Sequence, residues 1–250
     1  MIFKVLFALC VALEFVFVPL FLKYSWPKKC WTSFCLKMVC SALFFAAGLL
    51  AIIISGNTSS YAWLILWGLA LGWAGDLFLH LITEKMWVFG IGLFAFLGGH
   101  IFYIVAFQKA LAAITGGRAA PVTWQEIAVV CGVLALFIVY AAVKKIKQKL
   151  YMVIPVVLYA VTISTMLAKA FRLCIENALA DPHYAGVWPL FLTVALGAVL
   201  FILSDATLGM ILFAGHEKNR PLKWFNIGTY FAAQILLGSS IFFLTAPAAG

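Results

Sequence analysis

Acidic side chains are scarce: 8 Asp and Glu stand against 17 Lys and Arg in 250 residues, and charged residues of both signs make up only 10% of the chain. A soluble domain is about 25% charged and about 45–50% apolar. Here 66% of residues are hydrophobic, more apolar surface than a water-soluble globule can bury. Also missing are a C-x-x-C pair, an H-E-x-x-H, G-x-S-x-G or P-loop pattern, a long linker and any low-complexity tract. These absences exclude a soluble enzyme, an extracellular disulfide scaffold and a nucleic-acid binder, and they close the commonest motif-borne routes to chemistry. The six cysteines (Cys10, Cys30, Cys35, Cys40, Cys131, Cys174) fall mostly inside apolar stretches and read as small buried hydrophobes.

What is present is a series of apolar runs of roughly 20 residues, the length of helix that crosses a hydrocarbon core about 30 Å thick. Eight are legible, at about 1–22, 31–55, 61–82, 86–107, 122–143, 150–171, 187–213 and 222–245. They are continuously apolar, whereas a membrane β-strand alternates every second residue over about 10 positions. The fold expected is all-α: a polytopic membrane protein, one eight-helix transmembrane domain over residues 1–250. The first run has Lys4 ahead of it, like a signal peptide, but Glu14 interrupts it and no A-x-A site follows, so it is expected to stay as a span.

Charge in the loops sets an expected orientation. The loops between spans 1–2, 3–4, 5–6 and 7–8 hold eleven basic residues: Lys23, Lys28, Lys29, Lys85, Lys144, Lys145, Lys147, Lys149, Lys218, Arg220 and Lys223. The other side holds five: Lys4, Lys109, Arg118, Lys169 and Arg172. The richer side is the cytoplasmic one by the positive-inside rule, which leaves both termini outside, in a protein of the cytoplasmic (inner) membrane. The net charge of +9 is thus explained by topology. Trp26, Trp31, Trp63, Trp87, Trp124, Trp188 and Trp224 lie near span ends, as interfacial anchors do.

An ionisable group near the bilayer centre costs at least about 2.5–3.5 kcal/mol on insertion scales, so each one asks for a reason. The spans contain Glu14, Lys37, Asp76, His100 and Asp205, with His80 near the end of the third and Gln234 as a neutral partner. At 1.5 Å per helical residue, Asp76 and Lys37 lie roughly 9 Å from the basic end of their spans, Glu14, Asp205 and Tyr230 roughly 12 Å, and Tyr159 roughly 13 Å. Six side chains from six spans share one layer, which describes a polar pocket open toward the basic side. Gln234 stands one turn deeper on the face of Tyr230. His100, roughly 21 Å in by the same count, either lines the floor or is a satisfied core histidine.

Burial favours the neutral form of a carboxyl group, a second carboxyl nearby strengthens that for one of the pair, and a lysine or hydroxyl keeps the other ionised. Asp76 and Asp205 could then divide into a general acid and a general base, suited to an acid-labile bond. The same two carboxyls could instead couple protons in a transporter, which would call for inverted repeats and interrupted helices. Spans 3 and 7 share only the short Asp-x-x-Leu segments Asp76 to Leu79 and Asp205 to Leu208. A purely structural protein would leave the shared depth unexplained. His80 follows Asp76 by four residues on one helix face, but His183 and His216 fall in loops on opposite sides, so no metal site is expected.

Several segments together resemble a known family. They are Gly75-Asp76-Leu-Phe-Leu, Gly99-His100-Ile-Phe-Tyr103, Gly197-Ala-Val-Leu-Phe-Ile-Leu-Ser204-Asp205-Ala-Thr207-Leu and Gly228-Thr229-Tyr230-Phe-Ala-Ala-Gln234, with weaker matches at Leu36-Lys37-Met38 and Pro155-Val-Val-Leu-Tyr159. In this order and on these spans they resemble the YhhN-like family of membrane lysoplasmalogenases, with a departure at Met38, where a proline is expected soon after the lysine. The resemblance implies eight spans and hydrolysis of the vinyl-ether bond of lysoplasmalogens to a fatty aldehyde and a glycerophospho-amine. It implies Asp76 and Asp205 as the catalytic pair, with Lys37, His100, Tyr103, Tyr159, Tyr230 and Gln234 lining the substrate pocket. Glu14 and His80 join that binding set through the shared layer and the helix face of Asp76. Lys37, helped by loop residues such as Lys223, would hold the substrate phosphate by charge. The partners expected are a lysophospholipid and the lipid bilayer, without nucleic acid and without a cofactor.

Overall fold

The computed structural model describes residues 1–81, 85–146, 150–180 and 186–244, and among these it is entirely helical. Eight helices are long and apolar enough to cross a membrane. They are α1 (Ile2–Tyr24), α2 (Trp31–Ser55), α3 (Ser60–His80), α4 (Met86–Ile114), α5 (Trp124–Val143), α6 (Leu150–Ala180), α7 (Val187–Phe213) and α8 (Arg220–Ser239). One π-helical turn, Phe191–Ala195, interrupts α7, and a 3-10 turn, Ser240–Phe242, continues α8. His183, Lys147 and Lys149 lie outside the described residues.

Local chemistry fixes most ends. Ser59 accepts from Ala62 N at the start of α3, and Asn219 accepts from Leu222 N at the start of α8, whose first turn also takes Pro221. Thr123 and Glu126 close a reciprocal capping box on α5, and Cys30 and Ser33 do so on α2, satisfying amides that a helix start leaves unpaired. Gly56, at φ 65°, stops α2 in the left-handed conformation that glycine adopts without a steric penalty.

Two helices run further than their apolar stretches. α4 continues to Ile114 rather than about 107, and α6 to Ala180 rather than about 171. The added turns are mostly Ala, Leu, Gln, Lys, Arg and Glu, strong helix formers, the polar ones among which end a hydrophobic run without ending a helix. Lys109 and Arg172, expected just beyond their spans, therefore stand on helices, as Lys169 at the end of the sixth span does.

Neighbours in sequence pack as neighbours in space along α1–α2–α3–α4, and α7 packs on α8. The chain closes where α8 also meets α2 and α3, and where α4 packs against α6. The least apolar helix, α8, is the most enclosed, because its polar side faces other helices and not lipid. At the periphery α5 packs on α6 and turns Leu136, Ile138, Val139 and Val143 outward. Its buried residue is Glu126, whose carboxylate meets Lys169 Nζ at 2.9 Å and Arg172 at 3.4 Å. Lys169 is held as well by Gln108 on α4 and by the carbonyl of Pro121. This buried ionic cluster joins α4, α5 and α6 at the end of the bundle away from the basic loops.

All six cysteines are free; Cys40 and Cys174 are fully buried, as expected, but Cys35 and Cys131 are exposed on the apolar outer surface.

Candidate active site

Residue spacing on α3 makes room for the site before any charged group is placed. Gly68, Gly72 and Asp76 follow at intervals of four and so share one face. A methyl group on Gly68 would stand 2.2 Å from the ring of Tyr103, and one on Gly72 would stand 2.3 Å from Nε2 of Gln234. Gly75 leaves the corresponding space for Phe96. Side chains from α4 and α8 therefore lie flat against the α3 backbone, directly beyond Asp76.

Asp76 is fully enclosed and richly supplied with donors. Lys37 Nζ, on α2, lies 2.8 Å from Oδ1, an ionic contact whose angles fall outside hydrogen-bond geometry. Ser41 Oγ, one turn further along α2, donates to Oδ2 at 2.6 Å, and Tyr230 on α8 donates to the same oxygen at 2.8 Å. Gln234 donates through Nε2 to the Tyr230 oxygen at 3.1 Å, and Tyr103 on α4 donates to Gln234 Oε1 at 2.8 Å. Every donor in the chain Tyr103–Gln234–Tyr230 points toward Asp76.

Asp205, on α7, sits in a second and different environment. Tyr159 on α6 donates to Oδ2 at 2.6 Å, and His100 Nε2 on α4 lies 3.3 Å from that oxygen and 3.0 Å from the phenol. The Asp205 side chain keeps 14% of its surface open, against 1% for Asp76. His100 Nδ1 is buried without a hydrogen-bond partner among the described residues. Phe201 separates the two networks, its ring centroid 4.6 Å from that of His100 and 5.6 Å from that of Tyr230.

Eight of the ten residues singled out in the sequence thus fall into two adjoining networks: Lys37, Asp76, Tyr230, Gln234 and Tyr103 in one, His100, Tyr159 and Asp205 in the other. The two aspartates do not bond to each other among the described residues; each meets its own set of partners. Counting from helix ends puts His100 roughly 9 Å deeper than Asp205, yet the two side chains touch. The basic ends of α4 and α7 are therefore not level, and counting from them misplaces His100.

The remaining two residues stand apart from those bonds. Glu14 is buried within electrostatic range of Asp76, and both its oxygens lack a hydrogen-bond partner among the described residues. His80 turns away from Asp76: Nε2 meets Ser33 Oγ at 3.1 Å, and its ring packs edge-on against Phe21 at 5.1 Å. Lys37 Nζ lies over the other side of this small aromatic group, 5.6 Å from the Phe21 centroid.

Lys29 and Lys223, at the basic end, complete the surroundings of His80. Lys29 donates to the carbonyl of Leu79 at 2.6 Å, and Lys223 to that of Ser25 at 3.0 Å. Partial burial first, then the charges of Lys37 and Lys223, hold the Lys29 ammonium below the ordinary lysine range. Ser41, Ser33, Phe201 and Lys29 are the contributors that sequence reading missed.

Helices closed around buried carboxyl, ammonium, phenol and imidazole groups define an integral multi-pass membrane protein with a polar interior. The family model for YhhN matches residues 31–241, from the start of α2 through the 3-10 turn after α8, and the chain belongs to the YhhN family. Neither the curated proteins nor the solved structures offer a match to it.

Proposed function

We propose that the protein hydrolyses the vinyl-ether bond of lysoplasmalogens, with Asp205 as general acid and Asp76 as general base. Membership of the YhhN family supports a hydrolase of this type. The observation that carries the reading is the unlike setting of two carboxyls in an apolar interior. Asp76 has Lys37 and two hydroxyls against it, whereas Asp205 is bonded to a neutral phenol and an imidazole and is partly open. Two titratable groups held apart in this way are how one site runs acid and base chemistry together.

A vinyl ether is stable to base and labile to acid. Asp205 gives its proton to the β-carbon, and the electron pair of the ether oxygen forms an oxocarbenium ion. Water adds to the carbon bearing that oxygen while Asp76 takes the released proton, leaving a hemiacetal. As the hemiacetal collapses, its hydroxyl proton returns to Asp205, the C–O bond to glycerol breaks, and the proton on Asp76 goes to the departing oxygen. One water is consumed, one aldehyde and one glycerol hydroxyl are formed, and both aspartates are restored. The hydrocarbon tail would lie among Phe and Leu side chains of the bundle, and the basic end of the site would face the cytoplasm.

The test is aldehyde release from lysoplasmalogen by purified protein in detergent, without any gradient. D76N and D205N, each checked for folding by its Tm, should lose about 10²–10⁴-fold in turnover, the usual worth of general acid–base catalysis. Near-normal turnover by either variant removes the acid–base pair, and no release from any vinyl-ether lysolipid by the unaltered protein removes the reaction.

A further inference from the structure

Three ammonium groups converge at the basic end, and only one of them faces a carboxylate. Lys37 is held by Asp76 at 2.8 Å, so its charge is already matched. Lys29, in the connection between α1 and α2, and Lys223, in the first turn of α8, are held by the carbonyls of Leu79 and Ser25. Among the described residues neither forms a salt bridge. An ammonium group has three donors, and a single carbonyl leaves two on each lysine. Lys29, Lys37 and Lys223 all lie within electrostatic range of His80, and Lys29 and Lys223 of Lys37. Three cations gathered near the carboxyl groups of Asp76 and Glu14 leave an excess of positive charge. α2 and α8 also start at this end, directing the positive ends of their dipoles the same way.

The groups beneath are arranged as a path inward. Lys223 lies over the Trp26 ring at 5.8 Å, and His80 and Ser33 are joined under Lys29's anchor at Leu79. A single ring, Phe21, separates His80 from Lys37, and Lys37 touches Asp76.

We propose that Lys29 and Lys223 form an anion-binding mouth that takes a phosphate ester, the headgroup phosphate of the lysolipid on the reading given above. It replaces Lys37 as the seat of the phosphate, because Lys37 is spent on Asp76. It also orients the substrate, tail first into the bundle and phosphate last. The recognition is of phosphate oxygens and leaves the amine beyond them unread.

Binding is measured on the full-length protein in detergent, by tryptophan fluorescence, with a 1-O-alkyl lysophospholipid and the matching 1-O-alkyl glycerol, neither of which has a vinyl ether to cleave. The phospholipid should bind at least about tenfold more tightly, the worth of one charge-assisted contact or more. The K29Q/K223Q variant should lose that preference while binding the alkyl glycerol as before, and K29R/K223R, the check on folding, should retain it. Displacement by inorganic phosphate identifies the free anion as sufficient, and its failure with the preference intact identifies the lipid-borne ester; either upholds the mouth. Equal binding of the two ethers, or a preference that survives in K29Q/K223Q, overturns it. Aldehyde release from the vinyl-ether lysolipid is followed alongside. Preference without release removes the reaction and leaves the mouth standing, whereas release unchanged in K29Q/K223Q removes the mouth and leaves the reaction.

Discussion

Lys37 and Asp76 show why a charge inside the membrane is worth tracing residue by residue. Both are almost entirely enclosed and meet at 2.8 Å. Removing one member of a buried pair costs about 3–5 kcal/mol, because the other is left charged and unmatched, whereas replacing both removes the problem. K37M should therefore lower the Tm in detergent markedly, and K37M/D76N should recover most of the loss. A K37M protein that melts with the unaltered one would show that the pair does not hold charge. The two aspartates, Lys37, the tyrosines and Gln234 were legible in the sequence because ionisable and amide groups are rare in apolar runs. Ser41 was not: a helical serine ordinarily bonds back to the carbonyl four residues earlier, as Ser164 does to Ala160 and as Ser41 itself does to Lys37 at 3.0 Å. Nothing in the sequence marks Ser41 as reaching across to Asp76. Phe201 is likewise one of 23 phenylalanines, and only its position between two networks distinguishes it.

At the scale of the helix, α3 carries the site by what it leaves out. Gly68 and Gly72 both admit a neighbour into contact with the backbone, but the neighbours differ in freedom. The Tyr103 ring against Gly68 is 1% exposed and hemmed in by Phe201 and His100, so an added methyl group has nowhere to push it. Against Gly72 stands the end of the Gln234 side chain, which can swing. G68A should lose about 1–3 kcal/mol of stability as an overpacked core does. G72A should stay closer to the original Tm yet lose activity, because displaced Gln234 no longer joins Tyr103 to Tyr230. Gly90, which has open space around it, provides the control: G90A should leave both Tm and turnover near their original values. A G72A protein with unaltered turnover would disconnect the Tyr103–Gln234–Tyr230 chain from function. Helix number and most helix ends followed from hydropathy. The overrun of α4 and α6 did not, since hydropathy reports where lipid ends and not where the backbone hydrogen bonds end. Those extra turns carry Arg172, which with Lys169 clasps Glu126, and Gln108, which accepts from Lys169, a cluster that loop charges counted one by one do not reveal.

For the whole molecule the open matter is which end faces which compartment, and the chain carries its own reporter. Hydropathy has no sign along the membrane normal, so the eight helices read equally well inverted; only the uneven distribution of lysine and arginine breaks the symmetry. Cys30 lies at the basic end, at the start of α2 and partly exposed. The Ser33 backbone amide bonds to its sulfur at 3.4 Å, and that bond, with the Ser33 hydroxyl next in effect, draws the thiol below its ordinary range. The thiolate is the reactive form, so a lowered thiol keeps reacting as pH falls into a range where an ordinary cysteine has been protonated. Cys35 and Cys131 project from apolar helix surfaces, and Cys40 and Cys174 are buried, where a charged, membrane-impermeant thiol reagent has little access. With the basic end toward the cytoplasm, inside-out vesicles should take up such a reagent near neutral pH, right-side-out vesicles should not, and C30S should abolish the difference. Labelling confined to right-side-out vesicles and lost in C30S would invert the molecule, placing the mouth of Lys29 and Lys223 outside and requiring the lysolipid to come from the outer leaflet.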